Sequence, residues 1–253
     1  MIVYSSTSCV MSSLVSVVDW DMRNIDGQEF KMVFDQGGSV FEVVRIANSS
    51  FDNCGMSLSK RPSRMSSVRD VVVSNCKVIN SEIGPTVFED VQVEGLDVNP
   101  ILLLWSCFYR RVCLVGKIGK IRVNIEPSAF CTDAGVLAEF AERRAAFYSS
   151  VDWALDISRA RFADFACKGV PLALIRRDPE TQVIVRKQDF SGVDMLGTQF
   201  ASAFPETHTR LGIFGESTAE EALLVVPLAA PRKRREDWVG GIAELRRLGI
   251  VSG

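Results

Sequence analysis

From Leu155 to Leu174 the apolar residues come in pairs that restart every five positions: Leu155/Ile157, Ala160/Phe162, Phe165/Cys167 and Val170/Leu172. Polar or small residues fill the gaps: Asp156, Ser158, Arg159, Arg161, Asp164, Lys168 and Gly169. A helix would repeat its apolar face at three and four residues. A plain strand would alternate at two without resetting. A period of five predicts short extended pieces separated by corners. The same pairing runs through Val44/Ile46, Ser49/Phe51 and Cys54/Met56, then Val71/Val73, Cys76/Val78 and Ser81/Ile83. It continues through Thr86/Phe88, Val91/Val93, Leu96/Val98 and Ile101/Leu103.

A longer period is laid over the short one. Phe41–Ile46, Val68–Val73, Phe88–Val93 and Tyr109–Leu114 share one pattern, at steps of 27, 20 and 21 residues. A fixed repeat near twenty is a solenoid signature. Successive turns would then lie ~4.8 Å apart and stack Ile46, Val73, Val93 and Leu114 in one buried row. The longer first step is accounted for by Ser59–Ser67, which reads as a protruding loop. Near Gly116 the register slips by one residue, which predicts a bulge or the end of a coil.

Other segments carry different signals. Residues 1–39 show no five-residue register and read as cap strands (Ser13–Trp20, Glu29–Phe34) with turns at Asp26-Gly27 and Gly37-Gly38. Asp133 is placed to cap a helix through about Ser149. Its apolar side would hold Val136, Leu137, Phe140, Ala141 and Phe147, and Glu139, Glu142, Arg143 and Arg144 would face water. After Leu174, Ala173–Ile175 and Gln182–Lys187 read as strands around a turn at 178–181. Residues 189–215 read as a long loop, and Ser217–Glu220 as a capping box ahead of a helix. Pro231–Gly249 reads as a helix with Trp238, Ile242, Leu245 and Leu248 on its apolar side. The organisation expected is an N-terminal cap at 1–39, a repeat region at 40–188 interrupted by a helix at about 133–149, and a C-terminal part at 189–253.

The quintets Leu155-Asp-Ile157-Ser-Arg and Ala160-Arg-Phe162-Ala-Asp resemble the pentapeptide-repeat family, and the likeness extends over roughly 40–123 and 155–174. The resemblance implies a right-handed, four-sided parallel β-helix with both apolar positions inward. Val, Leu, Ser or Cys often stands where that family usually has Ala, so a wider or less regular coil is expected. The fold class expected is mainly β: a short right-handed parallel β-helix (solenoid) with an inserted helix and a mixed α/β C-terminal part. One subgroup of the family is made of acidic DNA mimics, and the net charge of −2 argues against that role.

The same charge argues against a strong footprint for nucleic acid. The uncharged start, Met1–Val18, lacks the basic n-region of a signal peptide and is too polar to span a bilayer, so a cytoplasmic protein without membrane contact is expected. Seven cysteines, an odd number without a C-x-x-C pair, suggest neither a disulfide framework nor a zinc site. His208 is the single histidine and reads as a solvated residue of a polar loop. No nucleophile elbow, phosphate loop or dinucleotide fingerprint is present, so no catalytic residue and no cofactor is expected. Glu89, Asp90, Glu94, Asp97, Asp156 and Asp164 recur on outward positions, where a solvated surface or a glycoside-cleaving pair are the alternatives. Two basic clusters stand out, Lys60-Arg61-Pro62-Ser63-Arg64 and Arg232-Lys233-Arg234-Arg235. Lys60, Arg61 and Arg64 are the candidate contacts to a protein partner. The function expected is a non-enzymatic bacterial interaction module of the immunity or inhibitor type; the alternative is a carbohydrate-active β-helix enzyme.

Overall fold

The computed structural model describes residues 23–251; the strand expected at Ser13–Trp20 lies outside them. Thirteen strands form one curled sheet. They are β1 (Arg23–Asp26), β2 (Glu29–Lys31), β3 (Val40–Ala47), β4 (Ser50–Asp52), β5 (Gly55–Met56), β6 (Ser66–Ile79) and β7 (Glu82–Ile83). They continue with β8 (Thr86–Asn99), β9 (Leu102–Trp105), β10 (Phe108–Asn124), β11 (Leu155–Asp156), β12 (Ala160–Cys167) and β13 (Ile175–Arg176). Every pairing among them is parallel, and the long strands pair in chain order: β3 on β6, β6 on β8, β8 on β10, β10 on β12. The expected row is in register, with Ile46 opposite Val73, Val73 opposite Val93, and Val93 opposite Leu114.

The fully buried row runs two residues earlier. Val44, Val71, Val91, Val112, Leu155 and Ile175 stand opposite one another and are each at most 6% exposed. Ile46, Val73 and Val93 are only half-buried at the rim of that core. A second buried row runs from Cys76 through Leu96 to Ile118 and Phe162, the last two wholly enclosed.

The period of five has a backbone cause. Left-handed residues recur at every fifth position along the first half of the sheet: Gly27 and Met32; Val43, Asn48 and Asn53; Asp70, Asn75 and Asn80; Asp90 and Gly95; Arg111 and Gly116. Each reverses the local curvature of the chain and makes a corner. The corners also stack: Val43, Asp70, Asp90 and Arg111 form one column, and Asn48, Asn75, Gly95 and Gly116 another. Asn and Gly tolerate this conformation, whereas other residues incur about 1–2 kcal/mol. Because β1 and β2 pair with β3 and β4 in the same way, the repeat already includes residues 23–31, where the sequence shows no register.

Two phase changes follow. The expected slip near Gly116 is a bulge between Val115 and Ile118. The other differs from expectation: Leu102 and Leu104, not Ile101 and Leu103, point inward. Ser81 lies 20 residues before Ile101, but β7 pairs Glu82 with Leu103, a step of 21. One extra residue at the corner moves each side chain to the opposite face.

Helix α1 (Ala134–Tyr148) begins where expected. Asp133 accepts hydrogen bonds from the backbone N–H of Gly135 and Val136, at 2.9 and 3.1 Å. Phe140 and Tyr148 are its buried residues, and Ala141 is exposed. Arg144, expected in water, donates to the Ile125 carbonyl at 2.6 Å and Ser106 Oγ at 3.0 Å, because the Phe140 face draws it over the end of the sheet.

The C-terminal part has its own core. Strands β14 (Gln182–Arg186) and β15 (Glu221–Val225) pair antiparallel with each other, while β13 belongs to the large sheet. The long loop expected at 189–215 is instead a 3-10 turn at Val193–Leu196, helix α2 (Gly197–Ala203) and helix α3 (Pro205–Glu216). Phe200, Thr207, Leu211 and Phe214 are spaced to bury one face, and Pro205 starts α3. Ser217 ends α3 instead of capping a following helix, and its hydroxyl donates to the Phe214 carbonyl. Helix α4 (Arg232–Arg247) buries Trp238, Ile242 and Leu245, as expected, but leaves Leu248 exposed. The two cores meet through buried Gln182, whose Nε2 donates to the Ile157 carbonyl at 2.8 Å, and through Ala229 N–H on the Phe162 carbonyl.

Candidate interaction surface

The segment carrying Lys60, Arg61 and Arg64 leaves the sheet between β5 and β6 and makes a 3-10 turn at Pro62–Arg64 beside α1. All three basic side chains are exposed, while Pro62 is buried beneath them. Arg64 is partly committed, donating to the Gly37 carbonyl at 2.8 Å. The loop is therefore anchored. Its foot is the Asp35 carboxylate, which accepts from Ser39 Oγ (2.7 Å), Ser66 Oγ (2.8 Å), Ser57 N–H (2.9 Å) and Gly37 N–H (3.1 Å). Burial alone would raise the Asp35 carboxyl, but the bonds from Ser39, Gly37, Ser66 and Ser57 together hold it below its ordinary range. Nothing in the local sequence marks Asp35, because its partners come from three separate segments.

On the outer face the carboxylates meet arginines across the strands. Glu42, Arg69, Glu89 and Arg110 are successive partners in register and form an alternating row, with contacts of 2.8, 3.2 and 3.0 Å. In the next column Arg111 chelates Asp90, and this guanidinium lowers the Asp90 carboxyl. Glu94 stands opposite Ser74, and Asp97 opposite Lys77. An open groove of about 440 Å³ lies farther along this face, lined by Glu29, Lys31, Asp52 and Lys77 with Asn48 and Asn75. Glu29 is ion-paired to Lys31 at 3.1 Å.

The second basic cluster is split by the fold. Arg232 pairs with Glu236 along α4, but Arg234 turns toward the sheet and reaches Asp164 at 3.4 Å and Glu206 at 2.5 Å. Arg122 (3.7 Å) and Arg210 (3.6 Å) approach the same Asp164 carboxylate. Asp156, by contrast, accepts from the backbone and hydroxyl of its neighbour Ser158.

His208 lies within α3, half-buried, with its ring 6.5 Å from Phe200, so the polar loop expected around it is a helix. Burial pushes the Cys107 and Cys167 thiols up to about 12, which leaves both protonated and poor nucleophiles near neutral pH. Among the described residues no group of three His, Cys, Asp or Glu could hold a metal ion, and no helix is long and apolar enough to cross a membrane.

Comparison with known proteins returned no matching family model, no similar curated protein and no similar solved structure.

Proposed function

We propose that the chain is a non-enzymatic interaction module, built as a short right-handed β-helix of the pentapeptide-repeat type, that presents its outer face to a protein partner. The observation carrying this reading is the Glu42–Arg69–Glu89–Arg110 row. Acid–base work on a glycosidic bond needs two carboxylates flanking one bond. The carboxylates of this row are taken up by arginines of neighbouring coils, which supports reading the face as a shaped and charged surface. The exposed Lys60, Arg61 and Arg64, held on an anchored loop, are its contact residues, since an ordered loop loses little entropy on binding. A bacterial cytoplasmic protein that neutralises a toxin or similar target is the specific form proposed. The test is capture of a partner from cells by the wild-type chain and by a triple alanine variant of Lys60, Arg61 and Arg64. A partner retained by the first and lost by the second supports the reading; identical capture would remove the loop from it.

The groove at Glu29 and Asp52 favours a second reading, a carbohydrate-active protein. Turnover of any polysaccharide by the wild type, abolished by Asp52→Asn, would put that reading first.

A further inference from the structure

The outer surface changes character where the coils reach the C-terminal part. On the early coils the row Glu42, Arg69, Glu89 and Arg110 alternates in sign and is ion-paired along its length. At β10 and β12 two cations oppose each other instead. Lys117 stands directly opposite Arg161, both exposed, and neither has a carboxylate within ion-pair distance among the described residues. Like charges directly opposed on neighbouring strands destabilise a sheet. Three residues along, Lys120 opposes Asp164, but that carboxylate is already shared by Arg122, Arg210 and Arg234. Glu206 takes part of Arg234. Three arginines therefore share Asp164 and Glu206, while Lys117, Lys120 and Arg161 form no ion pair among the described residues, on a chain whose net charge is −2. Glu94 and Asp97, on the preceding coil, form no ion pair with Lys117 or Lys120.

We infer that this face, centred on Lys117 and Arg161 and backed by the Asp164 arginines, binds an acidic segment of a partner protein. The inference rests on the interaction-module reading and names the partner's chemistry. An acidic ligand would supply the carboxylates that the paired coils supply for themselves. A guanidinium fork takes a carboxylate through two hydrogen bonds. A protein partner fits better than nucleic acid. A phosphate backbone is drawn by many cations at once, whereas here the cations without an ion pair are few and the arginines behind them already hold Asp164.

The probe is short poly-L-glutamate, titrated calorimetrically into the full chain at low and at near-physiological salt. The wild type should bind it, more weakly as salt rises. Lys117→Glu with Arg161→Glu should weaken binding at least about tenfold, since juxtaposed like charges are strongly unfavourable, with an unchanged circular dichroism spectrum. Lys117→Arg with Arg161→Lys should bind like wild type. If the double reversal fails to fold, Lys117→Gln with Lys120→Gln provides the same comparison by removing charge. The loop variant at Lys60, Arg61 and Arg64 should keep its affinity. No binding by the wild type, or equal binding by the reversed variant, would overturn the inference. So would loss of binding in the loop variant, which would move the acidic site to the loop. Displacement of polyglutamate by duplex DNA of matched charge would assign the face to nucleic acid instead. Polysaccharide turnover, which would sink the module reading, is measured in a separate assay, so failure of that reading and failure of the acidic site are distinguishable.

Discussion

Arg111 grips both carboxylate oxygens of Asp90, at 2.6 and 2.8 Å, and both residues are left-handed members of one corner column. The corner that bends the backbone also holds the side chains in register. Val43 belongs to the same column at φ 54°, with no polar side chain to compensate.

Val43→Gly should therefore stabilise the protein. Relief of the left-handed conformation gains about 1–2 kcal/mol, and the greater freedom of Gly in the unfolded chain returns about 0.4–1. Val43 is exposed, so little burial is lost. A rise in Tm of about 1–3 °C is expected by calorimetry. A fall would show that the corner does not strain the residue.

The two apolar rows should respond unequally to charge. Val91 is 5% exposed between Val71 and Val112, whereas Val93 is half-buried at the rim. Val91→Asp strands a carboxylate in an apolar stack and should abolish cooperative unfolding under native conditions. Val93→Asp can turn toward water and should remain folded with a lowered denaturation midpoint. Equal damage from both would place the rim inside the core.

Asp35 should couple loop stability to pH. Its folded carboxyl lies below the ordinary value of about 3.9, so the group binds fewer protons when folded. Its stabilisation is complete above that ordinary value and is lost as pH falls through the lowered one. Asp35→Asn should cost about 1–3 kcal/mol at neutral pH, because it replaces an acceptor of four hydrogen bonds. It should also flatten the stability curve in acid, and urea melts from pH 2 to 7 would read both effects. A variant curve parallel to wild type in acid would show that Asp35 is not the titrating group.

Removing Lys60–Ser66 would shorten the first repeat step to twenty residues, which along the chain looks like the trimming of a surface loop. Buried Pro62 and the Ser66 hydroxyl on Asp35 make it a structural deletion instead. It should lower Tm by more than the triple alanine variant of the exposed Lys60, Arg61 and Arg64. Proteolysis and thermal melts of the two variants would rank them.

The repeat is legible in the sequence because its cause is local. A left-handed corner recurs every five residues, with Asn or Gly along the column Asn48, Asn75, Gly95 and Gly116, and the pieces between must turn alternate side chains inward. Steps of 27, 20 and 21 then determine which strands pair, and the row from Ile46 to Leu114 follows. How deep each row lies is not local. Val44 is deeper than Ile46 because of how the sheet curls and what seals its end, and both depend on segments far away in the chain. The inward turn of Leu102 and Leu104 escapes a reading of the pattern because one extra residue at a corner reverses the facing of everything after it. Lys60, Arg61 and Arg64 are visible as a basic run, but Asp35 beneath them is not. Its four donors come from three segments, and only folding brings them to one carboxylate. The same holds for Lys117 and Arg161, 44 positions apart. Each is an ordinary outward cation along the chain, and only the parallel pairing of β10 with β12, across the inserted α1, sets one directly against the other.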